Sequence, residues 1–265
     1  MYINDLAITS LETITAFDVT TGSYVFTLDE LQNASIAQAQ ETTDITGKQG
    51  RVISTLKKNK TVTVSGTNGL VSGGLLETQT GGTFANKTTE VLWADYLTVA
   101  SGEATTSYKA IGTAGAEIEA LYIKNSDGTL GTKLEQAAQA AAGKFAYAPA
   151  TKKLTFHTDV AAGSEVIVYY KRKITADVLD NEASTYSGKL TLYIDALAED
   201  KCGNIYRVQF YIPKADFSGE FTLELGDNQT THAFEAKALA GGCGGNGQLW
   251  SYTVFGSDTA DYVGA

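Results

Sequence analysis

Lys189-Leu190-Thr191-Leu192-Tyr193-Ile194-Asp195-Ala196 puts Leu190, Leu192, Ile194 and Ala196 on one side, and Thr191, Tyr193 and Asp195 on the other. A period of two predicts a strand with one buried face, because successive side chains of an extended backbone point to opposite sides. Asn204 to Ile212 repeats it, with Tyr206, Val208, Phe210 and Ile212 against Arg207 and Gln209. Pro213 lacks a backbone donor and suits the end of that strand. Phe221, Leu223 and Leu225 alternate with Thr222 and Glu224; Phe234, Ala236 and Ala238 with Glu235 and Lys237; Trp250, Tyr252 and Val254 with Ser251 and Thr253. Five successive segments that want one dry and one wet face predict antiparallel sheet.

Upstream, Tyr24, Phe26 and Leu28 alternate, as do Val62 and Val64, and Asp44 to Gly50 has the glycines of a turn. Leu70, Val71, Leu75 and Leu76 group as on one helical face, which predicts a short helix within Gly66 to Thr80 capped by Thr67 or Asn68, with Gly73 and Gly74 weakening it. Strands are expected again at Val91 to Val99 and Ala104 to Ile111. From 114 to 175 the texture changes. Ile118 to Ile123 reads as a strand and Asn125-Ser126-Asp127-Gly128 as a hairpin turn. Thr132 with Glu135 forms a capping box opening an Ala-rich helix, Lys133 to Ala142, that Gly143 stops. Leu154 to Thr158 and Glu165 to Lys171 complete a small β-plus-helix subdomain. The expected organisation is a β domain of residues 1–113 and 176–265 carrying an inserted subdomain, 114–175.

The 265 residues suffice for a sizeable core, and 27 glycines against 2 prolines suit many turns. The net charge of −10 opposes nonspecific attraction to nucleic acid. The one basic cluster, Lys57, Lys58 and Lys60, reads as a solvated turn. No stretch approaches the length of a membrane span, and the opening residues lack the pattern of an export signal, so a soluble chain with no membrane partner is expected. Cys202 and Cys243 form no CxxC pair, and free thiols are expected over a disulfide.

Chemistry is hard to assemble from these residues. His157 and His232 each sit in or beside a strand, where a structural role is expected, and with two cysteines they do not form a zinc pattern. Glu117 and Glu119, two apart on a strand, imitate the paired carboxylates of a glycosidase but read as a hydrated face. Exposed aromatics among the 14 tyrosines, Trp93 and Trp250 would suit a glycan-binding module, although Trp250 falls on the apolar side of its strand. The turn 125–128 fails as a calcium loop, because Ile123 and Leu134 occupy positions that need oxygen donors. The cluster Gly241 to Gly247 is followed by no Gly-Lys-Ser or Gly-Lys-Thr, and reads as a loop rather than a phosphate cradle. No enzyme activity, catalytic residue, metal or cofactor is expected.

Several segments together resemble bacteriophage tail tube (major tail) proteins. They are Asp44-Ile45-Thr46-Gly47-Lys48-Gln49-Gly50-Arg51 with the strand Lys60 to Gly66 and the helix ending at Gln79-Thr80-Gly81; Ala161-Ala162-Gly163-Ser164-Glu165-Val166-Ile167-Val168-Tyr169-Tyr170; and Phe217 to Leu223 with His232 to Leu239 and Leu249 to Phe255. The resemblance implies a mainly β fold, a β-sandwich or tail-tube-like barrel with one flanking helix. It implies a structural virion protein, assembled in the host cytoplasm, six copies of which close into rings stacked as a conduit for DNA. The implied partners are further copies, a tape-measure protein, a tail terminator and baseplate or tail-tip proteins. The segment 114–175 would decorate the outside or form a contact between rings. An alternative is a virion decoration or adhesion module that binds glycans or a surface.

Overall fold

The computed structural model describes residues 5–224, 230–240 and 247–255. In chain order it begins with strands β1 (Leu6–Asp18), β2 (Tyr24–Leu28), β3 (Leu31–Thr46) and β4 (Val52–Asn68), then helix α1 (Gly73–Thr80). There follow β5 (Ala85–Thr98), β6 (Glu103–Thr105), β7 (Ile118–Lys124), β8 (Leu130–Gln136), β9 (Lys144–Ala148), β10 (Lys153–Phe156) and β11 (Glu165–Val178). The chain ends with β12 (Lys189–Asp200), β13 (Ile205–Phe217), β14 (Leu223–Glu224), β15 (Thr231–Ala238) and β16 (Ser251–Phe255). The fold is mainly β, with curled sheets and one short helix, as the alternation requires. Contacts separate it into two units, Met1–Phe84 with Leu179–Ala265, and Ala85–Val178.

The first unit is a curled antiparallel sheet in the order β2-β1-β12-β13-β15-β4-β3, with β16 on β13 and β14 on β15. The stretch that reads most clearly in the sequence lies at its centre. Leu190, Leu192, Ile194 and Ala196 are all buried, while Thr191, Tyr193 and Asp195 are half-buried on the other face. Leu190, Leu192 and Ile194 meet Ile14 and Ala16 of β1, Ile212 and Phe217 of β13, Phe234 of β15 and Val62 and Val64 of β4 in one core, and Ala196 packs with Ala198 and Val208 in a smaller one. Each fully covered side chain such as Leu192 or Ile212 contributes roughly 1.5–3 kcal/mol.

Three local expectations change here. The helix starts later than expected, at Gly73, and Ser72 caps it by accepting from the Leu75 N–H (3.4 Å). Thr67 and Asn68 are unavailable as caps because they lie in the β4 ladder, opposite Ala233 and His232. Pro213 does not end its strand: Leu190 pairs with Ala215 and Leu192 with Ile212, so the proline sits in a β-bulge where its missing donor costs no ladder bond. The Thr191 hydroxyl donates to its carbonyl (2.9 Å). Lys57, Lys58 and Lys60 are inside strand β4 rather than in a turn before it. Leu225 and Cys243 lie outside the described residues, as does all of the 241–247 cluster except Gly247.

The second unit is a sheet in the order β5-β11-β7-β8-β9-β10-β6, antiparallel except where β8 meets β9. Its core contains Leu121, Leu134, Phe145, Leu154, Val166, Val168 and Tyr170. β5 and β6, read from sequence as main-sheet strands, belong here: β5 pairs with β11 from Ala85 opposite Val178 to Thr98 opposite Glu165. The segment 114–175 lies inside this unit. The Ala-rich helix expected over Lys133 to Ala142 is absent. Residues 130–136 form β8, with Leu134 buried opposite Leu121, and 137–143 is irregular. A ten-residue Ala-rich helix has high propensity but little apolar surface to bury, and the cross-strand placement of Leu134 outweighs it.

Candidate assembly interface

β3 and β4 form a hairpin much longer than the core beneath it. Residues 37–46 and 52–61 are all exposed, so both faces of the ribbon are wet. The turn is made by Gln49 and Gly50, both at positive φ (67° and 72°), and Gly47 N–H donates to Arg51 carbonyl oxygen (2.7 Å). Along the ribbon, Thr55 Oγ1 donates to Asp44 (2.8 Å) and Asn59 Nδ2 to Glu41 (2.6 Å). Ile45, Val52, Ile53 and Leu56 cluster near the tip, with Ile53 68% exposed. A two-stranded ribbon bearing that much apolar surface is marginal alone in water, and such a patch marks a contact site.

The sheet of this unit also ends in open borders. Among the described residues, β3 pairs only with β4, and the Leu6 to Thr13 part of β1 pairs only with β12, since β2 meets β1 at Ile14 to Phe17. Curling brings these borders to the two sides of a cleft of about 720 Å³. Ile8 and Leu11 line it from β1, Leu31 and Ile36 from β3, and Phe210 and Trp250 from beneath. Trp250 is half-buried against the core, and its indole N–H donates to Gln38 Oε1 (3.2 Å). An unpaired border beside exposed apolar groups is a template for another strand.

The outer face of β1, β12 and β13 carries a third feature, a hollow of about 620 Å³ containing Phe17, Tyr193, Tyr211, Asp18 and Asp195. Tyr193 packs on Tyr211 (4.9 Å between centroids) and edge-on against Phe17 (5.7 Å). The carboxyl of Asp18 is held below its usual range, first by the backbone N–H of Thr21, then by that residue's hydroxyl and the Thr20 N–H.

The candidate catalytic residues do not converge. Glu117 is buried and accepts from Gln136 Nε2 (2.5 Å) and the Gly115 N–H, whereas Glu119 is exposed beside Lys171 (3.5 Å). Burial thus separates two carboxylates that the strand period places together. His157 is half-buried and lies beside Asp159 (3.1 Å). His232 is fully buried, with Nε2 2.7 Å from Gln79 Oε1 and Nδ1 accepting from the Ser72 N–H (3.3 Å). Burial lowers its pKa, so the ring is a neutral pin between β15 and α1. Cys202 is exposed in the β12–β13 turn. Among the described residues no cluster of His, Cys, Asp or Glu could hold a metal ion, and no helix is long and apolar enough to cross a membrane. Trp93 is spent on Asp95, to which its indole N–H donates (3.0 Å).

Sequence reasoning missed the apolar hairpin tip and the seam between β1 and β3. The first left a trace: Ile45, Val52, Ile53 and Leu56 have no matching polar-apolar alternation, so they could not all face one core. The second left none, because a border is unpaired only once strand order is known.

The sequence pattern of the YomU/Tube protein family matches residues 6–251, nearly the whole chain. The chain belongs to that family. It is therefore a member of a phage tail tube family, as the resemblance implied, and a structural component of the virion tail. No curated protein matches the chain. The YomU/Tube match covers strands of both units.

Proposed function

We propose that the protein is the repeating subunit of a tail tube, in which six copies close into a ring and rings stack into a conduit for phage DNA. The observation that carries this reading is the border of β3, sixteen residues long, continuous with an exposed apolar ribbon and facing a second open border on β1. A strand of a neighbouring copy satisfies backbone groups on such a border, and the ribbon tip gains the apolar cover it lacks. The charge of −10 suits a wall along which DNA slides without being gripped. The further partners are a tape-measure protein within the tube, a terminator at one end and a baseplate or tail-tip complex at the other, with assembly in the host cytoplasm. Residues 85–178 form an appendage to the assembling unit.

The test is negative-stain imaging of purified protein, alone and with tail-tip extract, for wild type and for I53D with L56D. Both positions are exposed, so the double variant keeps its circular dichroism and melting temperature. Wild type forms rings or tubes and the variant does not. Tubes of unchanged abundance from the variant would remove the ribbon from the assembly, and the absence of rings or tubes from wild type with the extract would remove the subunit reading altogether.

A further inference from the structure

The second unit holds a basic pocket apart from the ribbon and the open borders of the first. It measures about 780 Å³ and lies entirely within residues 85–178, between β5, β11 and the loop after β6. Lys109, Arg172 and Lys173 line it against one carboxylate, Glu90, and no ion pair joins Glu90 to any of the three among the described residues. A local excess of positive charge in a chain of net charge −10 is a departure that burial does not explain.

Arg172 is the centre of this pocket. Its guanidinium carbon lies 3.6 Å from the centroid of the Tyr108 ring and 4.6 Å from that of Trp93, and the two rings meet edge to face (5.2 Å). Rings hold a cation but accept no conventional hydrogen bond in its plane, so the donors of the fork remain unspent. Nε is sealed from solvent without an acceptor, and no described side chain supplies one to the rest of the group.

The clamp is itself braced. Tyr108 N–H donates to Tyr170 Oη (3.0 Å), and Tyr170 Oη–H donates to Asp95 (2.7 Å). Ser107 N–H also donates to Asp95 (2.7 Å), and the Ile111 N–H bonds to the Lys171 carbonyl (3.0 Å). A planar, fixed and unpaired guanidinium, in a pocket that two lysines also line, is the geometry that recognises an oxyanion in a two-pronged manner.

We propose that this pocket binds an oxyanion, a carboxylate or a phosphoryl group, with Arg172 as the principal contact and Lys109 and Lys173 as its electrostatic support. The group could be carried by an acidic sugar or by a phosphate ester, and these two sources share the same chemistry.

The experiment is titration of the full chain with inorganic phosphate, with glucuronate and with uncharged glucose, followed by Trp fluorescence and by the Trp93 indole N–H resonance. Saturable binding of at least one anion, weakened by salt and absent for glucose, is expected. R172K and R172Q should each lose at least tenfold in affinity, because the lysine keeps the charge and not the fork, and K109Q with K173Q should lose severalfold. The lysine pair lies outside the ring clamp, so that variant remains informative if R172Q fails to fold. Preference between phosphate and glucuronate distinguishes the two sources. Absence of saturation by either anion, or equal affinity in wild type and R172K, would overturn the proposal. Ring formation is a separate readout, so its loss or retention bears only on the tube reading.

Discussion

Replacing His232 with leucine tests how α1 is held to the sheet. The ring is fully buried, donates through Nε2 to Gln79 Oε1 at 2.7 Å and accepts the Ser72 N–H at Nδ1. Gln79 in turn donates to the Ala233 carbonyl (3.0 Å), so the Ser72 cap, the helix and β15 form one chain of bonds. Leucine fills similar space but strands the Ser72 N–H and one lone pair of Gln79, at about 1–3 kcal/mol for each buried unsatisfied group. The expected loss is about 2–4 kcal/mol at pH 8, read from urea unfolding by Trp fluorescence.

The pH dependence of that loss is the sharper test. Burial depresses the folded pKa of His232 below its ordinary 6.5, so between the two values the unfolded chain binds the extra proton. The stabilisation from the neutral ring is therefore fully present above about pH 6.5 and declines as pH falls below it, by at most about 1.4 kcal/mol per pH unit. The gap between wild type and His232→Leu should narrow from pH 7 to pH 5. Asp18, Asp95, Asp127, Asp159 and Asp200 are also depressed, but from about 3.8, and their contributions stay intact above that pH. The window is thus free of them. A gap that stays constant or widens toward pH 5 would refute the buried neutral imidazole.

Gly81→Ala should cost about 2–4 kcal/mol, because its φ of 71° disfavours a side chain and a Cβ would stand 2.2 Å from the Tyr186 carbonyl oxygen; a melting temperature within a degree of wild type would contradict this. Asp95→Asn should loosen the second unit by about 2–4 kcal/mol. Burial raises the carboxyl's pKa, but donors from Ser107, Tyr170 and Trp93 outweigh that and lower it overall, and an amide would turn an N–H₂ toward those donors. Its signature is faster hydrogen exchange confined to 85–178 and lost near-ultraviolet dichroism.

The two largest departures from the sequence reading share a cause. Lys133 to Ala142 carries a capping box and strong helix formers, yet Leu134 has a place opposite Leu121, and pairing on both sides of β8 satisfies more of the backbone than a short solvated helix would. Lys57, Lys58 and Lys60 read as a turn because nothing near them asks for burial. They lie in a strand because β3 supplies partners, Glu41 opposite Lys58 and Thr42 opposite Lys57. In both cases a long-range partner decided what local preference could not. The proposed assembly surface was legible only as the Asp44 to Arg51 turn, and the Arg172 clamp was not legible at all, since Trp93, Tyr108 and Arg172 meet only across the folded sheet.

The sequence by itself determined that this chain is built of antiparallel strands and which face of β12 is dry, because alternation is a local property that burial reads directly. It also carried the family, through residues 6–251. Tertiary structure alone decided where the strands stop finding partners. The open borders of β1 and β3, the ribbon beyond the core and the unspent guanidinium of Arg172 all depend on strand order and register, which join residues far apart in the chain and are written in no single segment of it.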